Sequence, residues 1–249
     1  MTVQPYLITR LSIMMFLQFF VWGAFFVTMG SYLLEVFQDE QGINSIIGQA
    51  YATHNWAALL APVFVGLLAD RVFNAERLNA VCQIVGGALL WYAASVTEPG
   101  VFIAVMFAYF MLYMPTLALV NTIAFSNIEN PDKQFPAIRV WGTIGWIVAG
   151  FVVAQTILGW VNIPLLNLLT GVTNAQATSV PLQMAAVLSV LYGVYSLTLP
   201  ATPPRTAVQS GQSVWPGCAE SAEGAQFSDF CPEQFSDKHT TGILLRAHQ

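Results

Sequence analysis

Charge is what this sequence has least of. Asp, Glu, Lys and Arg make up 8% of its 249 residues, where an ordinary soluble domain carries roughly a quarter. The scarcity is also local. Between Leu11 and Phe37 the one formal charge is Glu35, and between Val140 and Pro204 there is none. Such runs exclude a water-exposed surface over most of the chain. Cysteine is scarce too: Cys82, Cys218 and Cys231 have neither metal-ligand spacing nor the numbers for a disulfide framework. There is no glycine-rich phosphate loop, no Ser-His-Asp arrangement and no basic patch. An enzyme, a metal or cofactor protein and a nucleic-acid binder therefore have nothing to rest on.

What the chain does have is long apolar runs. A bilayer core about 30 Å thick takes roughly 20 apolar residues as a helix, because backbone polar groups in lipid must be satisfied within their own segment. Runs of that length predict spans at 8–36, 48–69, 78–96, 100–125, 138–158 and 181–200. This is an all-α membrane protein with six transmembrane helices and the lipid bilayer as its surroundings. The first run is far longer than the roughly 7–15 apolar residues of a signal peptide and has no small-residue cleavage site after it, so it is expected to stay in the mature protein.

Lys and Arg near span ends are retained on the cytoplasmic side. Arg10 stands at the start of the first span, Arg71 and Arg77 lie between the second and third, Lys133 and Arg139 lie at the fourth-to-fifth junction, and Arg205 follows the sixth. The alternate connections hold only Asp39, Glu40 and Glu98 as charges, and the stretch from Gly159 to Ser179 holds none. Both termini are therefore expected to be cytoplasmic. The net charge of −5 mixes two regimes, since five of the thirteen acids (Glu220, Glu223, Asp229, Glu233, Asp237) fall after Pro200. Beyond Pro203 and Pro204 the chain is rich in Ser, Gln, Gly, Glu and Asp without apolar period, and this composition predicts a disordered tail. The domains expected are thus 1–204, membrane-spanning, and 205–249, tail.

The loop Gly66-Leu67-Leu68-Ala69-Asp70-Arg71, followed by Arg77, places an acid and two bases at a cytoplasmic helix junction, where they can pair with one another and with facing helix ends. It resembles the loop between the second and third helices of the major facilitator superfamily, which implies a gating latch for Gly66, Asp70, Arg71 and Arg77. The alternative is a charged boundary marker. Three further segments carry a narrower resemblance: Phe16-Leu17-Gln18-Phe19-Phe20-Val21-Trp22-Gly23, Tyr113-Met114-Pro115-Thr116-Leu117-Ala118-Leu119-Val120-Asn121-Thr122-Ile123, and Gln134-Phe135-Pro136-Ala137-Ile138-Arg139-Val140-Trp141-Gly142-Thr143-Ile144-Gly145-Trp146. Together with the exit Thr198-Leu199-Pro200, they are similar to the nucleoside:proton symporter family over about residues 7–204.

That resemblance implies the N-terminal half of a major facilitator transporter, nucleoside and protons as partners, and a bacterial inner membrane. It also implies substrate contacts from Arg139, Thr143 and Trp146, the last standing where a member of the family carries phenylalanine. Independently, these three residues recur at i, i+4 and i+7 and so share one helix face. A guanidinium, a hydroxyl and a ring suit ribose hydroxyls and a flat base; the alternative is an arginine snorkelling from a helix end with a tryptophan in lipid. Gln18, Trp22 and Asn121, with Thr122 beside it, are candidates for lining a polar cavity or for bonding between helices. His54, beside Asn55, is a candidate proton carrier or a structural histidine. Gly86, Gly87, Gly142 and Gly145 are expected to allow close helix packing.

One half of such a fold forms only part of a cavity, since the substrate lies between two halves. The codons of Thr240 to Arg246, read one nucleotide later, permit Pro-Leu-Ala-Tyr-Tyr-Tyr-Ala, which looks like the beginning of the family's second half; a frameshift that produced the tail is therefore expected. The rival readings are a half-length protein acting with a second half or as a homodimer, an inactive product, and a transporter of another small polar solute such as a sugar.

Overall fold

Helix is the only regular structure among the described residues of the computed structural model, 5–68, 74–157 and 179–203, with side chains described except at 62–68 and 154–157. The helices are α1 (Pro5–Phe26), α2 (Met29–Val36), α3 (Ile43–Leu68), α4 (Ala75–Ala93), α5 (Pro99–Ser126), α6 (Pro131–Ile157) and α7 (Val180–Ser196). All lie in one compact unit, Met1–Pro204. Three stretches, Pro5–Val36, Pro99–Ser126 and Pro131–Val153, are long and apolar enough to cross a membrane, and α7 is a shorter apolar helix. The tail expected at 205–249 lies outside the described residues.

The single helix expected over 8–36 is broken at Val27–Thr28. The cause is a side chain from α3. The Tyr51 hydroxyl accepts the Gly30 N–H at 3.1 Å and donates to the Phe26 carbonyl at 3.0 Å. In an unbroken helix Gly30 would bond that same carbonyl, so Tyr51 stands in for one rung of the ladder. The Thr28 hydroxyl also turns back onto the Phe25 carbonyl at 3.2 Å.

Two helices start well before the boundaries that hydropathy alone suggests. The α3 helix begins at Ile43, because Gly42 takes a φ of +81° that turns the chain out of the α2 exit. The α6 helix begins at Pro131, seven residues before the expected 138. Asn130 Oδ1 accepts the Lys133 N–H, and Gln134 Oε1 accepts the N–H groups of Glu129 and Asn130. This reciprocal cap holds the first turn, and Pro131 lacks the N–H that the first turn cannot use. The α5 helix passes through Pro115, where the Thr116 hydroxyl donates to the Tyr113 carbonyl.

Packing joins α1 to α6 and α7, α4 to α5 and α7, and α3 to α5. One apolar cluster gathers Phe25, Tyr32, Phe102, Tyr109 and Phe110; a second gathers Leu11, Met14, Met15, Ile123 and Tyr192. The outward faces are also apolar: Trp56, Leu59, Trp91, Ile147, Phe151 and Leu191 are all exposed. Lipid tails cover such residues without cost, so helix association must come from close contact and interhelical hydrogen bonds. The molecule uses both.

Close contact depends on glycine. A Cβ on Gly145 would run into the Phe16 backbone carbonyl, and one on Gly142 would stand 2.7 Å from the Phe19 ring, so α6 meets α1 only because both positions are bare. At the other seam a Cβ on Gly87 would lie 2.8 Å from the Ala186 carbonyl, and one on Gly193 would lie 2.9 Å from that of Ala80. Hydrogen bonds run through the middle. The Gln83 amide donates to Gln18 Oε1 at 3.0 Å and to the Thr116 hydroxyl at 3.3 Å, and the Ser189 hydroxyl donates to Gln83 Oε1 at 2.8 Å. Gln18 closes the ring by donating to Thr116 at 2.8 Å. Four helices, α1, α4, α5 and α7, meet on this one buried set. Its amides and hydroxyls satisfy each other where no water is available.

Candidate functional site

The Arg139, Thr143 and Trp146 face of α6 lies against α1. Its first member, Arg139, is exposed, and its guanidinium carbon sits 4.2 Å from the centre of the Phe19 ring. Thr143, one turn on, is also exposed. Trp146 is half-buried, with its ring 5.1 Å from Trp22 at 88°, an edge-to-face contact. Charge, hydroxyl and ring therefore follow one another along the seam between α1 and α6.

Trp22 is the hub of a larger group of rings. It stacks on His54 at 5.3 Å and 25°, and lies 5.7 Å from Phe26, 6.0 Å from Tyr113 and 6.2 Å from Phe19. The indole Nε1 is buried and has no hydrogen-bond partner among the described residues. His54 comes from α3 and is enclosed by Trp22, Phe26 at 5.3 Å and Phe110 at 5.4 Å. Its Nδ1 lies 3.1 Å from Asn55 Oδ1. A histidine in this position stands one ring away from Trp146, with Trp22 between them.

The other expected site residues fall elsewhere. Gln18, one turn before Trp22, is fully buried and spends its amide on Thr116 and Gln83 rather than on the ring cluster. The Tyr113 hydroxyl donates to the Gln18 backbone carbonyl, so the polar set and the ring cluster share Tyr113 as a wall. Asn121 on α5 is half-buried, and its Oδ1 has no partner among the described residues. Thr122 is exposed and bonds the Ala118 carbonyl. Of the loop residues, Gly66 lies in the backbone of α3, Asp70 and Arg71 lie outside the described residues, and Arg77 is exposed in the first turn of α4.

Phe19, Gln83, Phe26 and Phe110 were not singled out from sequence. Phe19 had a local signal, since it lies three residues before Trp22 and so on the same side of α1. Gln83 had none, because its partners come from three other helices.

Comparison with known proteins gives this geometry a setting. The chain is 38% identical to YegT of Escherichia coli K12 over 200 residues, which is 79% of this chain and 43% of YegT. It is 37% identical over 198 residues to the xanthosine permease of the same organism, covering 78% of this chain and 43% of the permease. The crystal structure of the nucleoside transporter NupG (D323A mutant) superposes with a TM-score of 0.69 at 32% identity, covering 84% of this chain and 48% of that one. The chain thus spans less than half the length of the curated relatives it matches. The family model described as nucleoside H+ symporter matches residues 6–216, and the chain, an integral membrane protein, belongs to that family.

Proposed function

We propose that this chain forms the N-terminal six-helix half of a proton-coupled nucleoside transporter of the major facilitator type. Residues 1–204 are the transmembrane domain, both termini face the cytoplasm, and the membrane is a bacterial inner membrane. The observation that carries the reading is the α1–α6 seam, where Arg139 and Thr143 stand exposed beside the paired rings of Trp146 and Trp22 in a chain of the nucleoside H+ symporter family. Arg139 and Thr143 hydrogen-bond the nucleoside, and Trp146 stacks on the base. The opposing wall comes from a second six-helix half, since such transporters hold substrate between two repeats. Gln18 and Asn121 belong to this reading as residues around the cavity rather than direct ligands, and Trp22 backs the stacking ring.

His54 carries the coupling proton in this proposal. Its place among Trp22, Phe26 and Phe110 supports the role, because a charge gained there is felt at Trp146 through a single intervening ring. Gly66, Asp70, Arg71 and Arg77 act as the gating latch between α3 and α4.

Labelled uridine retained by cells or vesicles containing the protein should be displaced by other nucleosides and not by sugars. Displacement by a sugar with none by nucleosides would assign the seam to another polar solute. Sequencing the coding DNA beyond the codon for Pro204 checks the second half: an open shifted frame with six more apolar spans is expected, and an early stop in that frame contradicts the frameshift.

A further inference from the structure

Arg139 is long, exposed and free to rotate unless something holds it. What holds it is unusual in being apolar. The guanidinium carbon lies 4.2 Å from the centre of the Phe19 ring, close for a cation over an aromatic face. Gly142 makes the arrangement possible. A Cβ there would stand 2.7 Å from Phe19 Cδ2, 3.2 Å from Phe19 Cε2 and 3.3 Å from Arg139 Nη1. The ring therefore occupies space that any other residue at 142 would claim, and the guanidinium lies in tight contact with its edge. Phe19 is itself placed by its neighbour Trp22 at 6.2 Å, which in turn meets Trp146.

We propose that Phe19 and Gly142 form a seat that holds the Arg139 guanidinium flat over the Phe19 ring, making Phe19 a positioning residue for nucleoside recognition. The inference rests on the nucleoside reading of the Arg139 face and deepens it. A guanidinium donates in its own plane, so stacking one face on a ring leaves all its N–H groups directed outward. A carboxylate partner would instead have consumed two of those donors in a bidentate pair. The ring fixes orientation and leaves the donors for ribose hydroxyls or a base carbonyl. Ordering a long side chain before binding removes an entropic cost that binding would otherwise carry.

The test uses the full 249-residue chain in lipid nanodiscs and reads the dissociation constant for uridine. Phe19→Leu keeps the apolar volume and removes the ring; it is expected to weaken binding about 2- to 5-fold, while Phe19→Tyr stays at the parent value. Gly142→Ala should weaken binding in the same direction by displacing the ring. In an Arg139→Lys background, where there is no plane to hold, Phe19→Leu should have no further effect. A purely structural role for Phe19 would give the same loss in both backgrounds, and that result, or unchanged affinity in Phe19→Leu, overturns the inference while leaving the nucleoside reading intact. Failure of the parent chain to bind uridine overturns the reading that the α1–α6 seam binds nucleoside on this chain by itself, and this inference with it; binding that survives in Arg139→Ala, with Phe19→Leu also neutral, removes Arg139 from the site and the seat with it.

Discussion

The two glycine-lined seams of this protein are built alike and finished differently. At both, a missing Cβ lets two helices approach to backbone distance: Gly142 and Gly145 between α6 and α1, Gly87 and Gly193 between α4 and α7. Around the α4–α7 seam the polar side chains named are turned inward and bonded to the protein, although Asn79 Oδ1 has no partner among the described residues. Ser189 bonds Gln83, Asn79 donates to Tyr192 at 3.1 Å and to Ser196 at 3.0 Å, and Ser196 donates to the Glu76 carbonyl at 2.9 Å. Along the α1–α6 seam Arg139 and Thr143 are exposed, and the rings beside them make contacts that do not use up hydrogen-bonding capacity. Close packing in a membrane protein therefore says nothing by itself about function. The difference lies in how far the polar groups at the seam are turned inward and bonded to the protein rather than left exposed.

That contrast can be broken first at its packing. Gly145→Ala drives a methyl into the Phe16 carbonyl and is expected to cost about 3 kcal/mol in unfolding measured in detergent micelles, the upper end for overpacking. Gly150→Ala, on the same helix with nothing within 4 Å, should be neutral or stabilising by up to about 1 kcal/mol. Equal effects at the two positions would remove the packing argument.

Next comes the occupied polar set. Gln83→Leu leaves Gln18 and Ser189 without a shared partner and is expected to lower stability by about 2 kcal/mol without changing uridine affinity. A change in affinity larger than in stability would place Gln83 with the site instead. At the open seam the order should reverse: Arg139→Lys is expected to weaken uridine binding about tenfold, or about 1.4 kcal/mol, with an unaltered thermal midpoint.

The smallest expected effect is at the break in the first span. Tyr51→Phe removes the hydroxyl that bridges Phe26 and Gly30 and should cost about 1 kcal/mol in the same unfolding assay. The loss is limited because Gly30 and Phe26 can then bond each other directly. A stabilised Tyr51→Phe chain would mean that the break is held by something other than Tyr51.

How much of this was readable from sequence depended on how local the cause is. The shared face of Arg139, Thr143 and Trp146 follows from helical period alone, so it was legible once α6 was recognised as a helix. The early start of α6 was also written in the chain, in Asn130, Pro131 and Gln134; it was missed because apolar density, not capping, set the boundary. The break at Val27–Thr28 was not legible, since the hydroxyl that occupies it comes from α3. The alternatives for Gln18 differ only in what faces it, and that depends on Gln83 and Thr116 from two other helices. The ring enclosure of His54 likewise joins α1, α3 and α5, and a sequence motif within one helix carries no record of it.

The most direct test follows tryptophan emission while uridine is titrated into the full chain in nanodiscs, with glucose as the control solute. Trp22 and Trp146 meet at the proposed site, so a saturable change with uridine, absent with glucose and abolished in Arg139→Ala, is the expected result. No saturable change with uridine, or the same change with glucose, would contradict a nucleoside site on the α1–α6 seam.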